Sequence, residues 1–259
     1  MNVRLLGCVF RAMWMHRLIM ARRYAFNTLS SMITIYLVFL LLFLGGRALA
    51  GPMLLGDGLE GLVVGYLVWM FALFAYSDLA WELIMQAQIG TLEKLFLSPA
   101  GFRWVTIFNE LGGLVFNFGL GSLMLLAIML TTGTFLRIDL VSVIPLLLAT
   151  IAAAYGFGLM AGGLALVHKR IQAAFQILQF VFVGFIMAPG DWVVSRYLPF
   201  NLGTRLLGQV MGDGVRIWQL PASDLLVLVA TGAAYLALGM LVFARMERMA
   251  RNRGLLGHY

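Results

Sequence analysis

Six stretches of about 20 apolar residues, at 29–50, 61–80, 104–132, 143–167, 171–188 and 223–243, limit what this chain can become, because a helix of that length crosses the hydrocarbon of a bilayer. Inside that medium every backbone N–H and C=O must be satisfied within the protein, so such stretches are helices. Hydrophobic residues make up 62% and charged residues 11%, whereas a soluble domain carries about a quarter charged. The expected fold is therefore all-α and integral to a membrane, with six transmembrane helices forming one domain over 1–259. No linker, low-complexity tract or internal repeat divides it.

The formal charge of +7 is concentrated at the ends of the apolar runs. Thirteen of the eighteen Lys and Arg fall in 1–28, 81–103, 168–170 and 244–259, and the opposite side keeps Arg47, Arg137, Arg196, Arg205 and Arg216. This bias places both termini and the 81–103 connection in the cytoplasm. It also accounts for the basic balance without nucleic acid, which is not an expected partner. In 1–28, Arg4, Arg11, Arg17, Arg22 and Arg23 are interspersed with Leu6, Val9, Phe10, Met13 and Trp14, the pattern of a basic amphipathic helix against membrane lipids. Ala48-Leu49-Ala50 has the look of a signal-peptide cleavage site, but the apolar run before it is too long and starts too late.

Catalytic chemistry is not foreseen in this chain. It has no GxxxxGK[ST] loop to cradle a phosphate. His16, His168 and His258 lie far apart without metal-ligand spacing, and Ser195 and Ser223 are assigned to the side opposite them. Cys8 is the sole cysteine, so it forms no intramolecular disulfide.

Several polar features interrupt the apolar background. The segment 81–101 is amphipathic: Glu82, Gln86 and Glu93 recur at helical spacing against Trp81, Ile84, Met85, Ile89, Leu92, Leu95 and Phe96. Asp78, Glu82 and Glu110 sit toward the cytoplasmic ends of the second and third runs. They can pair with Lys94 or Arg103, brace the amphipathic segment, or carry protons. Gln172, Gln176 and Gln179 form a stripe on the fifth run; with Asn109 and Asn117 on the third they either bond between helices or line a substrate path. Gly158 and Gly162, flanked by Gly156 and Gly163, allow a close helix approach within the chain or between copies. The segment 189–222 is too apolar for a free loop and reads as short helices dipping in from the outer face.

The run Gly90-Thr91-Leu92-Glu93, followed by Leu95 and Ser98-Pro99, resembles the GTLE...L...P signature of the membrane subunits of bacterial ABC exporters of the ABC-2 type. The resemblance extends over the whole chain through the six runs, the basic N-terminal helix and the outer segment before the last run. It implies a multi-pass exporter permease in the inner membrane, paired with a second copy or a paralogous permease. ATP and Mg would be bound by a separate cytoplasmic ATPase, with no cofactor on this chain. A cytoplasmic coupling helix would engage that ATPase through Glu82, Gly90, Thr91, Leu92, Glu93, Leu95, Phe96 and Pro99, and Pro189, Pro199 and Phe200 would form an outer gate. The apolar spans favour a hydrophobic or amphipathic drug-like compound or lipid as substrate over a polysaccharide. The chain differs from many relatives in the uncharged lead-in Gln86-Ala87-Gln88-Ile89 and in Pro199-Phe200-Asn201-Leu202-Gly203 in the outer segment.

Overall fold

The computed structural model describes residues 3–50, 57–88, 102–167, 172–189 and 193–252, which contain helices and no strand. The helices are α1 (Val3–Arg23), α2 (Ala25–Ala50), α3 (Asp57–Gln88), α4 (Phe102–Thr132), α5 (Leu140–Val167), α6 (Gln172–Ile186), α7 (Asn201–Gly208) and α8 (Ala222–Asn252). Between α6 and α8 lie two 3-10 turns, Val193–Tyr197 and Ile217–Gln219, and a π turn, Gln209–Asp213. Five of the helices, α2, α3, α4, α5 and α8, are long and apolar enough to cross a membrane. This is the architecture of a multi-pass membrane protein. The fifth apolar run departs from the expected length: α6 has 15 residues, or about 22 Å of rise, against about 30 Å of hydrocarbon.

Local chemistry sets several helix ends. Gly133, at φ +70, stops α4 while its N–H still bonds the Met129 carbonyl at 3.0 Å, as a left-handed C-terminal glycine does. Asp139 then starts α5, its carboxylate accepting from the Val141 N–H at 3.3 Å and the Ser142 hydroxyl at 2.6 Å. At the far end of α6 the cap comes from a distant residue. The Asn201 amide donates to the carbonyls of Phe185, Ile186 and Ala188 at 3.2, 3.3 and 2.8 Å. A helix end leaves carbonyls that need donors, and Asn201 supplies them from the first residue of α7. Phe200, held at φ 73 beside it, packs edge-on against Phe182 at 4.8 Å. Asn201→Ala is expected to lower stability by about 1–3 kcal/mol through those orphaned carbonyls, seen as a lower midpoint of thermal unfolding in detergent.

The core is built on α3 and α5. Val63, Met70, Leu146 and Ile151 are fully buried there, joined by Phe182 of α6 and Leu207 and Met211 of the outer segment. In α2, by contrast, only 11% of the spanning window is buried, against 56% in α3, so α2 lies at the periphery.

Glycines set the direction of packing. A Cβ on Gly232 of α8 would lie 2.7 Å from the Ala149 carbonyl oxygen of α5, one on Gly239 would lie 2.3 Å from that of Gly156, and one on Gly163 would lie 3.1 Å from the Phe243 Cα. The paired numbers rise together, so α5 and α8 run parallel. Ser142 at the start of α5 accepts a hydrogen bond from the Ile217 N–H just before α8, at 3.1 Å. A Cβ on Gly158 would meet the Tyr76 carbonyl of α3 at 2.8 Å. The close approaches made by Gly156, Gly158 and Gly163 are therefore within one chain.

Candidate functional site

Helix α1 does not stand apart from the bundle; it packs lengthwise on α4. Phe10 meets Phe108 edge-on at 5.7 Å, Trp14 packs over Gly112, and Arg17 crosses Gly113. Phe10, Trp14 and Arg17 recur at i, i+4 and i+7 and so share one helix face. A Cβ on Gly113 would lie 2.0 Å from an Arg17 guanidinium nitrogen and 3.0 Å from Asp78 Oδ2. The missing side chain is what lets the guanidinium through.

Beyond Gly113, Arg17 donates to Asp78 Oδ2 of α3 at 2.8 Å, and the Asn117 amide of α4 donates to the same oxygen at 2.9 Å. Asp78 thus pairs with an arginine 61 residues away; its expected partners, Lys94 and the Arg103 side chain, lie outside the described positions. Arg17 and Asp78 retain 23% and 26% side-chain exposure. Both donors converge on Oδ2, and Asp78 Oδ1 takes no hydrogen bond among the described residues. Glu110 on α4 and Glu82 on α3 interact electrostatically with this pair, as does Tyr155 on α5. Glu110 Oε1 is buried with no hydrogen-bond partner among the described residues.

This ion pair forms part of the wall of an open cavity of about 340 Å³ lined by α1, α2, α3 and α4. Asn27, Thr28 and Ser31 of α2 and Asn117 of α4 give it a polar side, while Tyr24, Phe74 and Phe116 contribute aromatic surface. A second cavity of about 300 Å³, almost wholly apolar, lies between α1 and α4 at Trp14, Leu18, Gly112, Val115 and Gly119. Both are lined by Arg17, Phe116 and Leu120.

The expected polar path is not assembled as one site. Asn117 joins the cavity, and Asn109 is buried on α4 about two turns before it. Gln176 is exposed on α6 and Gln179 half-buried; neither lines the cavity, and the Gln172 side chain lies outside the described positions. The backbone carbonyl of Gln179 accepts from the Trp69 indole at 3.4 Å. Of the expected coupling residues, Glu82 is described: it is half-buried and accepts a hydrogen bond from Gln86 at 2.8 Å. Gly90, Thr91, Leu92, Glu93, Leu95, Phe96 and Pro99 lie outside the described residues. At the expected outer gate, Pro199 and Phe200 are buried and Pro189 is exposed.

Arg17 and Gly113 are absent from the sequence-based candidate sites. Their trace in the sequence is the position of Arg17 on the apolar Phe10–Trp14 face of α1, where a solvated cation does not belong. No protein-family model, curated protein or solved structure matches this chain.

Proposed function

We propose that the chain is the permease subunit of an ATP-driven exporter of the ABC-2 type, crossing the inner membrane six times with both termini in the cytoplasm. The observation that carries this reading is the short α6, capped by Asn201 and followed by packed short helices before α8. That order matches the half-inserted outer segment implied by the GTLE resemblance. The parallel packing of α5 and α8 adds support, because a chain that leaves the end of α5 must return to its starting side before α8 begins. Helix α6 and the residues after it make that return.

In this reading a cytoplasmic ATPase grips the segment around Gly90–Pro99, and its closure moves α3 and α4, which flank that segment, within a dimer of permeases. The substrate is a hydrophobic or amphipathic compound, and this chain supplies coupling and path. The test is to purify the tagged chain from its native membrane in mild detergent and assay ATP hydrolysis by whatever accompanies it. An ATPase subunit is expected in the assembly. Glu93→Ala and Leu95→Ala are expected to reduce coupled hydrolysis about tenfold, the equivalent of about 1.4 kcal/mol at the contact. Recovery without a nucleotide-hydrolysing partner, together with transport driven by a proton gradient alone, would overturn the reading. It would favour an ion-coupled transporter built on Asp78 and Glu110.

A further inference from the structure

We propose that the cavity between α1, α2, α3 and α4 binds an amphipathic organic cation, with its positive group against Asp78 and its apolar part in the groove beside Trp14. As a binding site this stands apart from the exporter reading; as a statement of what an exporter carries it rests on that reading.

The open oxygen of Asp78 and the aromatic wall favour a cation. The charged side chains in the cavity wall are Arg17 from α1 and Asp78 from α3, with Arg23 over the Tyr24 ring at 5.9 Å from its centroid; α2 contributes Asn27, Thr28 and Ser31, which carry no charge. Glu82 and Glu110 act electrostatically on Asp78 without lining the cavity. Asp78 occupies one nitrogen of the Arg17 guanidinium. An anion entering beside Asp78 meets its carboxylate at short range, where reduced screening strengthens repulsion. A cation finds Asp78 Oδ1, which has no hydrogen bond among the described residues, and the rings of Phe74 and Phe116, whose faces attract positive charge.

The shape favours an amphipath. The polar cavity and the apolar groove share Arg17, Phe116 and Leu120, so a ligand can set its charged end in one and its greasy end in the other. Such a division, mostly apolar wall with a few placed polar groups, is the ordinary make-up of a small-molecule site.

The experiment is equilibrium binding of radiolabelled tetraphenylphosphonium to the full chain purified in detergent, without ATPase or ATP. Tetraphenylborate, of the same shape and opposite charge, forms the second arm. Saturable phosphonium binding is expected, about tenfold or more weaker in Ser31→Trp, which adds bulk to the cavity from α2 and leaves both charged residues in place, and in the double variant Arg17→Gln/Asp78→Asn. Asp78→Glu is expected to retain binding, and unchanged gel-filtration elution reports folding. No saturable phosphonium binding, equal binding by wild type and a folded Ser31→Trp, or preference for tetraphenylborate would overturn the proposal; the last result would instead assign an anion site to Arg17. Because no motor is present, failure here is separate from failure to find an ATPase partner.

Discussion

Replacing Gly156 by leucine is expected to abolish recovery of folded protein, and Gly156→Ala to destabilise it by about 1–3 kcal/mol, the range for forcing extra carbon into a filled interface. A single Cβ at this position would lie 2.3 Å from the Tyr235 carbonyl oxygen of α8 and 2.6 Å from its carbon. Those are backbone atoms, which cannot rotate aside. Helices α5 and α8 would have to separate, and in lipid their contact is held chiefly by close packing, since the hydrocarbon around them is as apolar as their own side chains. Gly239→Ala attacks the same contact from the other helix, its Cβ falling 2.3 Å from the Gly156 carbonyl oxygen. The two alanine substitutions are therefore expected to be less than additive, one separation of the helices accommodating both. Gly45→Ala supplies the control. Among the described residues nothing lies within 4 Å of its Cβ position, and loss of glycine's backbone freedom should be neutral or stabilising by up to about 1 kcal/mol. Unfolding midpoints in detergent decide the matter; an unchanged midpoint for Gly156→Ala would refute the parallel α5–α8 contact.

The same contact shows which parts of the fold can be read in the sequence. Hydropathy locates the long helices because burial in lipid demands continuous apolar residues: the run at 104–132 coincides with the apolar stretch Trp104–Thr132 of α4. It misjudges ends that depend on something else. Helix α8 continues to Asn252, beyond its apolar run at 223–243, and Glu247 and Arg251 form an i,i+4 pair in that polar extension. Helix α6 stops at Ile186, although its apolar run continues to 188, and its last carbonyls are received by Asn201 after a turn of the chain. A cap that arrives from that far along the chain leaves no local pattern. Small residues on α5 announce a close approach, but their spacing does not name the partner; only the opposed carbonyls of Tyr76 and Tyr235 do that.

The candidate site was legible in its acids and hidden in its base. Asp78 and Glu110 stand out because charge is costly within an apolar helix. Arg17 blends into a basic N-terminal helix whose other arginines the positive-inside bias explains equally well. What separates it is three-dimensional: the bare backbone at Gly113 opens a passage to an acid 61 residues later in the chain.

Cutting that connection from either side is expected to cost about 2–3 kcal/mol, and cutting both ends together to cost distinctly less than the sum. Removing one partner of a fully buried pair typically costs about 3–5 kcal/mol, because the survivor is stranded without compensation. The residual 23% and 26% exposure of Arg17 and Asp78 lets water screen the survivor, which places the expectation at about the lower end of that range or just below it. Arg17→Gln leaves Asp78 without its cation in the electrostatic field of Glu82 and Glu110. Asp78→Asn leaves a guanidinium wedged over Gly113, its Nε already without a partner among the described residues. The double variant replaces both charges with amides of similar size and strands neither. A double-mutant cycle on unfolding midpoints should therefore give a coupling of about 1 kcal/mol or more between the sites. Strict additivity would mean that the Arg17–Asp78 contact adds nothing to stability and that α1 is held by its other packing, such as Phe10 and Trp14.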